Sequence, residues 1–209
     1  MSGPRERGEA TATLPQGGPR RPRFWNVPNS LTVGRLIMSV VVFALMGGEY
    51  YAAAFLVFIL AALSDWLDGY FARLLDQGTP IGRQLDPLID KVIVSGCYIY
   101  LSAIADRTGV RPWMVTAIVV RELLIQGLRS LLEGQGQPFG AKMAGKLKTT
   151  AQCFSIGAAL LALAMPTPPG WLLGTRDGFT WLAVLLTLYS GASYMSGAMP
   201  ALRGQATRN

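Results

Sequence analysis

Four aspartates fall into two pairs at helical spacing: Asp65 and Asp68 three residues apart, Asp86 and Asp90 four apart. Residues so spaced on an α-helix share a face, so each pair can aim two carboxylates at one place. The first pair follows the apolar run 52–63, and the second leads into the apolar stretch that starts at Val92. Ionisable groups set into apolar helices are costly and mark function. If the two helices are antiparallel neighbours, the pairs converge. Four carboxylates in one pocket repel one another strongly unless cations neutralise them. A ligand set of oxygen alone, without Cys or His, favours hard divalent cations such as Mg²⁺ or Mn²⁺. Small side chains at Gly69 and Ala72 leave the groove beside the first pair open, and Pro80 and Gly82 let the chain turn between the pairs.

The rest of the composition narrows the chemistry. The chain of 209 residues has no histidine, which excludes a Ser-His-Asp triad, a His-ligated zinc and an imidazole base. With 51% hydrophobic residues it is not a disordered chain, and with two cysteines it is not a disulfide scaffold. Cys97 and Cys153 both fall in apolar runs and read as small core residues.

The elements that must position the aspartates are apolar and long. Runs at roughly 31–46, 50–72, 87–105, 112–132, 147–165 and 179–198 approach or match the ~20 residues that a helix needs to cross a bilayer. The first is slightly short and draws on its neighbours from Val27 to Ser30. The fold class expected is therefore all-α, an integral membrane bundle of six transmembrane helices. Sixteen of the nineteen Lys and Arg residues then fall on the side of the two termini, against Arg107, Arg111 and Arg176 on the other. The positive-inside rule makes the rich side cytoplasmic, with both termini there. Topology thus accounts for most of the +7 net charge, and no nucleic-acid partner is expected. Residues 1–23, rich in Gly, Pro, Arg, Glu and Thr, read as a disordered cytoplasmic tail without the apolar stretch of a secretory signal. Trp25 is placed as an interfacial anchor. The bundle would occupy 24–203, with a short tail over 204–209.

The aspartate segment as a whole resembles a known signature. Asp65-x-x-Asp68-Gly69-x-x-Ala72-Arg73, eight residues, then Gly82-x-x-x-Asp86-x-x-x-Asp90 looks like the full motif of the CDP-alcohol phosphotransferase family. That resemblance implies six helices, with the motif joining the second and third, and replacement of CMP on a CDP-linked lipid or alcohol by an incoming hydroxyl. It implies two divalent cations, Mg²⁺ or Mn²⁺, held by Asp65, Asp68, Asp86 and Asp90 on the diphosphate. It places Gly69, Ala72, Arg73, Thr79 and Gly82 beside the CDP lipid, together with Val27, Pro28, Asn29 and Ser30 before helix 1. Asp90 is the general base this resemblance implies. Physical chemistry agrees: paired metals stabilise in-line displacement at phosphorus, and a carboxylate serves as base where a metal acidifies the hydroxyl.

A second cluster is basic. Arg121 lies well inside an apolar run with Glu122 as a partial partner, and Lys146 and Lys148 open the fifth run. These three suggest an anion site near the metals. Arg129 suits either that site or topology, and Lys142 suits topology and anionic lipid. The stretches 120–129 and 145–152, with 26–35 before the first span, resemble the branch of that family that uses glycerol 3-phosphate, the phosphatidylglycerophosphate synthases. The resemblance implies CDP-diacylglycerol and sn-glycerol 3-phosphate as substrates and a homodimer in the inner (cytoplasmic) membrane. Inositol phosphate or phosphatidylglycerol as acceptor is the rival within the family, and a small membrane cation carrier is the rival outside it.

Overall fold

The computed structural model describes residues 27–75, 80–134 and 143–206, with side chains described over 33–64, 91–130 and 147–196 and at Ile89 and Gly145. Among the described residues the chain is all helical, without a strand. Six long helices, α1 (Val27–Gly47), α2 (Tyr51–Leu75), α3 (Pro80–Ala103), α5 (Pro112–Gly134), α6 (Met143–Ala164) and α7 (Gly170–Ala206), fall on the six apolar runs. A single turn, α4 (Ala105–Thr108), lies between α3 and α5.

Helix ends differ from the sequence expectation where polar residues continue a helix. Val27, Pro28, Asn29 and Ser30, expected before the first helix, form the first turn of α1, where Pro28 loses no intrahelical hydrogen bond. The helix does break between the aspartate pairs, with α2 ending at Leu75 and Pro80 opening α3, but Gly82, expected at the turn, lies inside α3. Asp86 therefore sits in the second turn of α3 and Asp90 a full turn deeper. At the other end, α7 begins nine residues before the last apolar run and continues to Ala206, into the stretch expected as a tail. The tail 1–23 and Trp25 lie outside the described residues.

The tight corners have local causes. After α1, Glu49 adopts the left-handed conformation (φ 61°). The Glu49 N–H then reaches Met46 O at 3.1 Å, and the Tyr50 N–H reaches Leu45 O at 2.8 Å. Both orphan carbonyls are satisfied, and α2 can start at once. After α3, buried Thr108 donates through Oγ1 to Leu101 O (2.8 Å) and accepts from the Val110 N–H (3.2 Å). Gly109, at φ 72°, supplies the left-handed residue that closes the turn. Arg176 of α7 donates from Nη1 to Arg107 O at 2.8 Å, tying this corner to the last helix.

Packing then brings the motif helices under common neighbours. α1 packs on both α2 and α3, α6 packs on α2, α3 and α7, and α5 packs on α3 and α7. The core holds Val42, Phe58, Cys97, Tyr98, Ile118 and Leu160, all nearly inaccessible. Gly96 permits the α1–α3 approach, since a Cβ there would lie 2.1 Å from Phe43 Cζ. Among the described residues one helix, through Leu147–Ala164, is by length and composition apolar enough to cross a membrane, while Val33–Gly47, Tyr51–Ser64 and Lys91–Ala103 are shorter apolar helical stretches.

Candidate functional site

Three helices close on a polar cavity of about 180 Å³. Lys91, Val94 and Ser95 come from α3, Glu122, Gln126 and Arg129 from α5, and Lys148, Thr149 and Gln152 from α6. Helical periodicity explains the set: 122, 126 and 129 recur at i, i+4 and i+7, and 148 and 152 at i and i+4, so each helix offers one stripe. The stripe is polar where its neighbours are apolar. Leu123 and Leu124, beside Glu122, are exposed on the outside of the bundle, while Glu122 is buried.

Lys91, Glu122 and Lys148 each meet a polar partner across a helix contact. Lys148 Nζ donates to Glu122 Oε1. Lys91 Nζ donates to Gln126 Oε1 across the α3–α5 contact. Arg121 Nη1 lies 3.3 Å from the same Glu122 Oε1 and 3.4 Å from Oε2. Its guanidinium also stacks over the Tyr194 ring at 5.6 Å. Glycine at 191 lets the Arg121 side chain cross α7, because a Cβ there would lie 3.1 Å from Arg121 Cγ. Gln152 Nε2 donates to Thr187 Oγ1 at 3.4 Å and fixes α6 on α7. Three cations, Lys91, Arg129 and Lys148, thus line the cavity with one carboxylate, Glu122, and a fourth, Arg121, contacts that carboxylate. A buried charge survives only when paired, and an excess of cations in a small cavity suits an anion. Asp90 immediately precedes the lining residue Lys91 in α3.

A family model described as CDP-alcohol phosphatidyltransferase matches residues 25–189. The chain belongs to that family. Relatives of high coverage carry one name, CDP-diacylglycerol–glycerol-3-phosphate 3-phosphatidyltransferase. The Bacillus subtilis (strain 168) protein is 34% identical over 198 residues, covering 86% of this chain and 98% of its own. The Cereibacter sphaeroides protein is 37% identical over 164 residues, 75% of this chain and 72% of its own. The Escherichia coli (strain K12) protein is 33% identical over 190 residues, 87% and 99% respectively.

As a CDP-alcohol phosphatidyltransferase, the chain carries the family motif on two helices. Asp65, Asp68, Gly69, Ala72 and Arg73 lie in the last three turns or so of α2, and Gly82, Asp86 and Asp90 in the first three of α3. Their side chains, and those of Val27 to Ser30 and Lys146, lie outside the described ones, as do Thr79 and Lys142 altogether. Among the described residues no group of three metal-binding side chains occurs. The family uses divalent cations, and the all-oxygen chemistry of the four aspartates fits such ions.

Of the basic residues expected to hold an anion, Arg129 and Lys148 line the polar cavity. Arg121 reaches it only through Glu122 and otherwise lines an apolar groove between α5 and α7 with Val120, Leu124 and Leu188. Lys91, Gln126 and Gln152 were not singled out in the sequence. The signal was there: Lys91 follows the motif directly, and Gln126 falls midway between Glu122 and Arg129 on one face.

Proposed function

We propose that this chain is a membrane enzyme that transfers the phosphatidyl group of CDP-diacylglycerol to sn-glycerol 3-phosphate, giving phosphatidylglycerophosphate and CMP. One observation carries the acceptor: a small polar cavity, rich in Lys and Arg, whose lining begins at Lys91, the residue after Asp90. At about 180 Å³ it is below the ~300–1,000 Å³ of common ligand pockets, which suits a three-carbon phosphate better than an inositol ring or a second lipid. The family motif and the shared name of relatives that align over most of their length support the same donor and acceptor.

The chemistry follows from the residues. Lys91, Arg129 and Lys148 bind the acceptor phosphate and turn its 1-hydroxyl toward the motif helices. Lys146 and Arg121 add to the positive field. That oxygen attacks the β-phosphorus of the CDP lipid, the bond from β-phosphorus to the CMP oxygen breaks, and the hydroxyl proton passes to the Asp90 carboxylate. Asp65, Asp68, Asp86 and Asp90 would hold two divalent cations, Mg²⁺ or Mn²⁺, which when bound neutralise the diphosphate and stabilise departing CMP. Val27, Pro28, Asn29, Ser30, Gly69, Ala72, Arg73, Thr79 and Gly82 form the bed for CDP. Small residues at 69, 72 and 82 leave room for the nucleotide. Direct transfer holds acceptor and donor together, so positioning supplies much of the rate.

All six long helices span the inner membrane in this reading, with the motif at the cytoplasmic edge and the protein as a homodimer. Large aliphatic side chains point outward on α1, α2, α5 and α7, with Ile37, Val40, Leu56, Leu60, Leu123 and Leu185 well exposed. Such a surface needs lipid around it. Trp113 and Trp171 stand exposed at the starts of α5 and α7, and Trp181, about three turns into α7, packs against Trp113, as an interfacial belt at the opposite edge. α7, with 37 residues, is about 55 Å long and projects beyond a ~30 Å hydrocarbon core.

CMP release by the purified chain, supplied with CDP-diacylglycerol and each acceptor in turn, tests the proposal. Release with glycerol 3-phosphate supports it; release only with inositol phosphate or phosphatidylglycerol moves the chain to another branch.

A further inference from the structure

The cavity contains one group that binding a phosphate does not call for. Glu122 is a buried carboxylate set among cations, and it repels the anion that those cations attract. Its contacts do not exhaust it. An ionised carboxylate accepts at about four lone-pair positions and donates none. Lys148 takes Oε1, and Arg121 adds long contacts of 3.3 Å to Oε1 and 3.4 Å to Oε2. Oε2 thus keeps acceptor capacity on a side chain pinned by two cations. A carboxylate so placed in a cavity cannot take a phosphate, but it can take a hydroxyl hydrogen.

We propose that Glu122 is a specificity-determining residue that accepts a hydrogen bond from the acceptor's 2-hydroxyl and thereby selects glycerol 3-phosphate over phosphates lacking that group. The inference rests on the proposed acceptor. With the phosphate on Lys91, Arg129 and Lys148, and the 1-hydroxyl committed to the reaction, the 2-hydroxyl is the acceptor's remaining donor. The carboxylate is the strongest acceptor in the cavity for it, because charge-assisted hydrogen bonds are about twice as strong as neutral ones. The amide oxygen of Gln126 is occupied by Lys91. A site built to bond a substrate hydroxyl also rejects the analogue lacking it, since its own buried group is then left unmatched.

The test compares kcat/KM for CMP release with glycerol 3-phosphate and with 3-hydroxypropyl phosphate, which lacks only the 2-hydroxyl. The full chain is used, with CDP-diacylglycerol in detergent micelles. The wild type should prefer glycerol 3-phosphate by about a hundredfold, the upper range for one hydrogen bond to a charged group. Glu122→Gln should shrink that ratio to within about tenfold. If Glu122→Gln does not fold, the pair Glu122→Leu with Lys148→Met, which replaces buried ions by apolar side chains of similar size, takes its place and should bring the ratio close to one. If Glu122 only orients Lys148, both acceptors slow equally in the variant and the ratio stays at its wild-type value. An unchanged ratio, or a wild type that does not discriminate, overturns the inference and leaves the proposed function standing. A wild type that releases no CMP with glycerol 3-phosphate overturns both.

Discussion

Lys148 on α6 and Glu122 on α5 form an ion pair in which each side chain is only 6% exposed. This contact joins two helices that the sequence separates by an unrelated polar stretch, and it sets a cation at the wall of the polar cavity. Removing one partner strands the other without solvent. Glu122→Ala should therefore cost about 3–5 kcal/mol, read as an earlier midpoint in detergent unfolding. Glu122→Leu with Lys148→Met should recover part of that stability, since Arg121 still loses its carboxylate, while raising the KM for the acceptor phosphate. Recovery of both stability and acceptor affinity in the double variant would remove Lys148 from the site.

Gly96 is required by the distance between α1 and α3. A methyl group at this position meets the Phe43 ring, which is stacked on Tyr100 at 5.9 Å and cannot swing away freely. Gly96→Ala should destabilise the bundle by about 1–3 kcal/mol. Phe43→Leu on that background should return part of the loss, because it trims the atoms that clash. A neutral Gly96→Ala variant would show that α1 sits farther from α3.

The Thr108 hydroxyl is buried and bonds on both sides of the α4 corner. Thr108→Val keeps the shape but leaves Leu101 O and the Val110 N–H without that partner. The expected loss is about 1–3 kcal/mol of stability in thermal unfolding. CMP release per folded molecule should stay unchanged, since this corner belongs to the end of the bundle away from the polar cavity.

Chelation provides a test of the aspartate motif. EDTA should abolish CMP release, and Mg²⁺ or Mn²⁺ should restore it, as an all-oxygen donor set requires. Asp68→Asn should lower kcat at least about a hundredfold while the bundle still folds, because the change is nearly isosteric. Full activity in EDTA, or in Asp68→Asn, would contradict the assigned role of the motif.

The long helices were legible because each carries a long apolar run, a signal that needs no knowledge of neighbours. Their ends were less so. Val27–Ser30 and residues 170–178 mix polar and apolar side chains, and their helical state depends on what they extend rather than on their own pattern. Each aspartate pair is local in sequence, so its spacing and its likeness to the family motif could be read there, and both pairs fall on helices. The polar cavity is not local. Lys91 meets Gln126 across 35 positions, and Lys148 meets Glu122 across 26, so neither contact can be derived from periodicity. Arg121 illustrates the limit: its depth in an apolar run marked it as important, but its direction is set by Gly191 and Tyr194 on α7.

The most direct measurement is CMP release by the purified chain with CDP-diacylglycerol, Mg²⁺ and a panel of single acceptors. The account predicts release that depends on glycerol 3-phosphate, with phosphatidylglycerophosphate formed in equal amount. Absence of release with glycerol 3-phosphate, alongside release with inositol phosphate or phosphatidylglycerol, would contradict it.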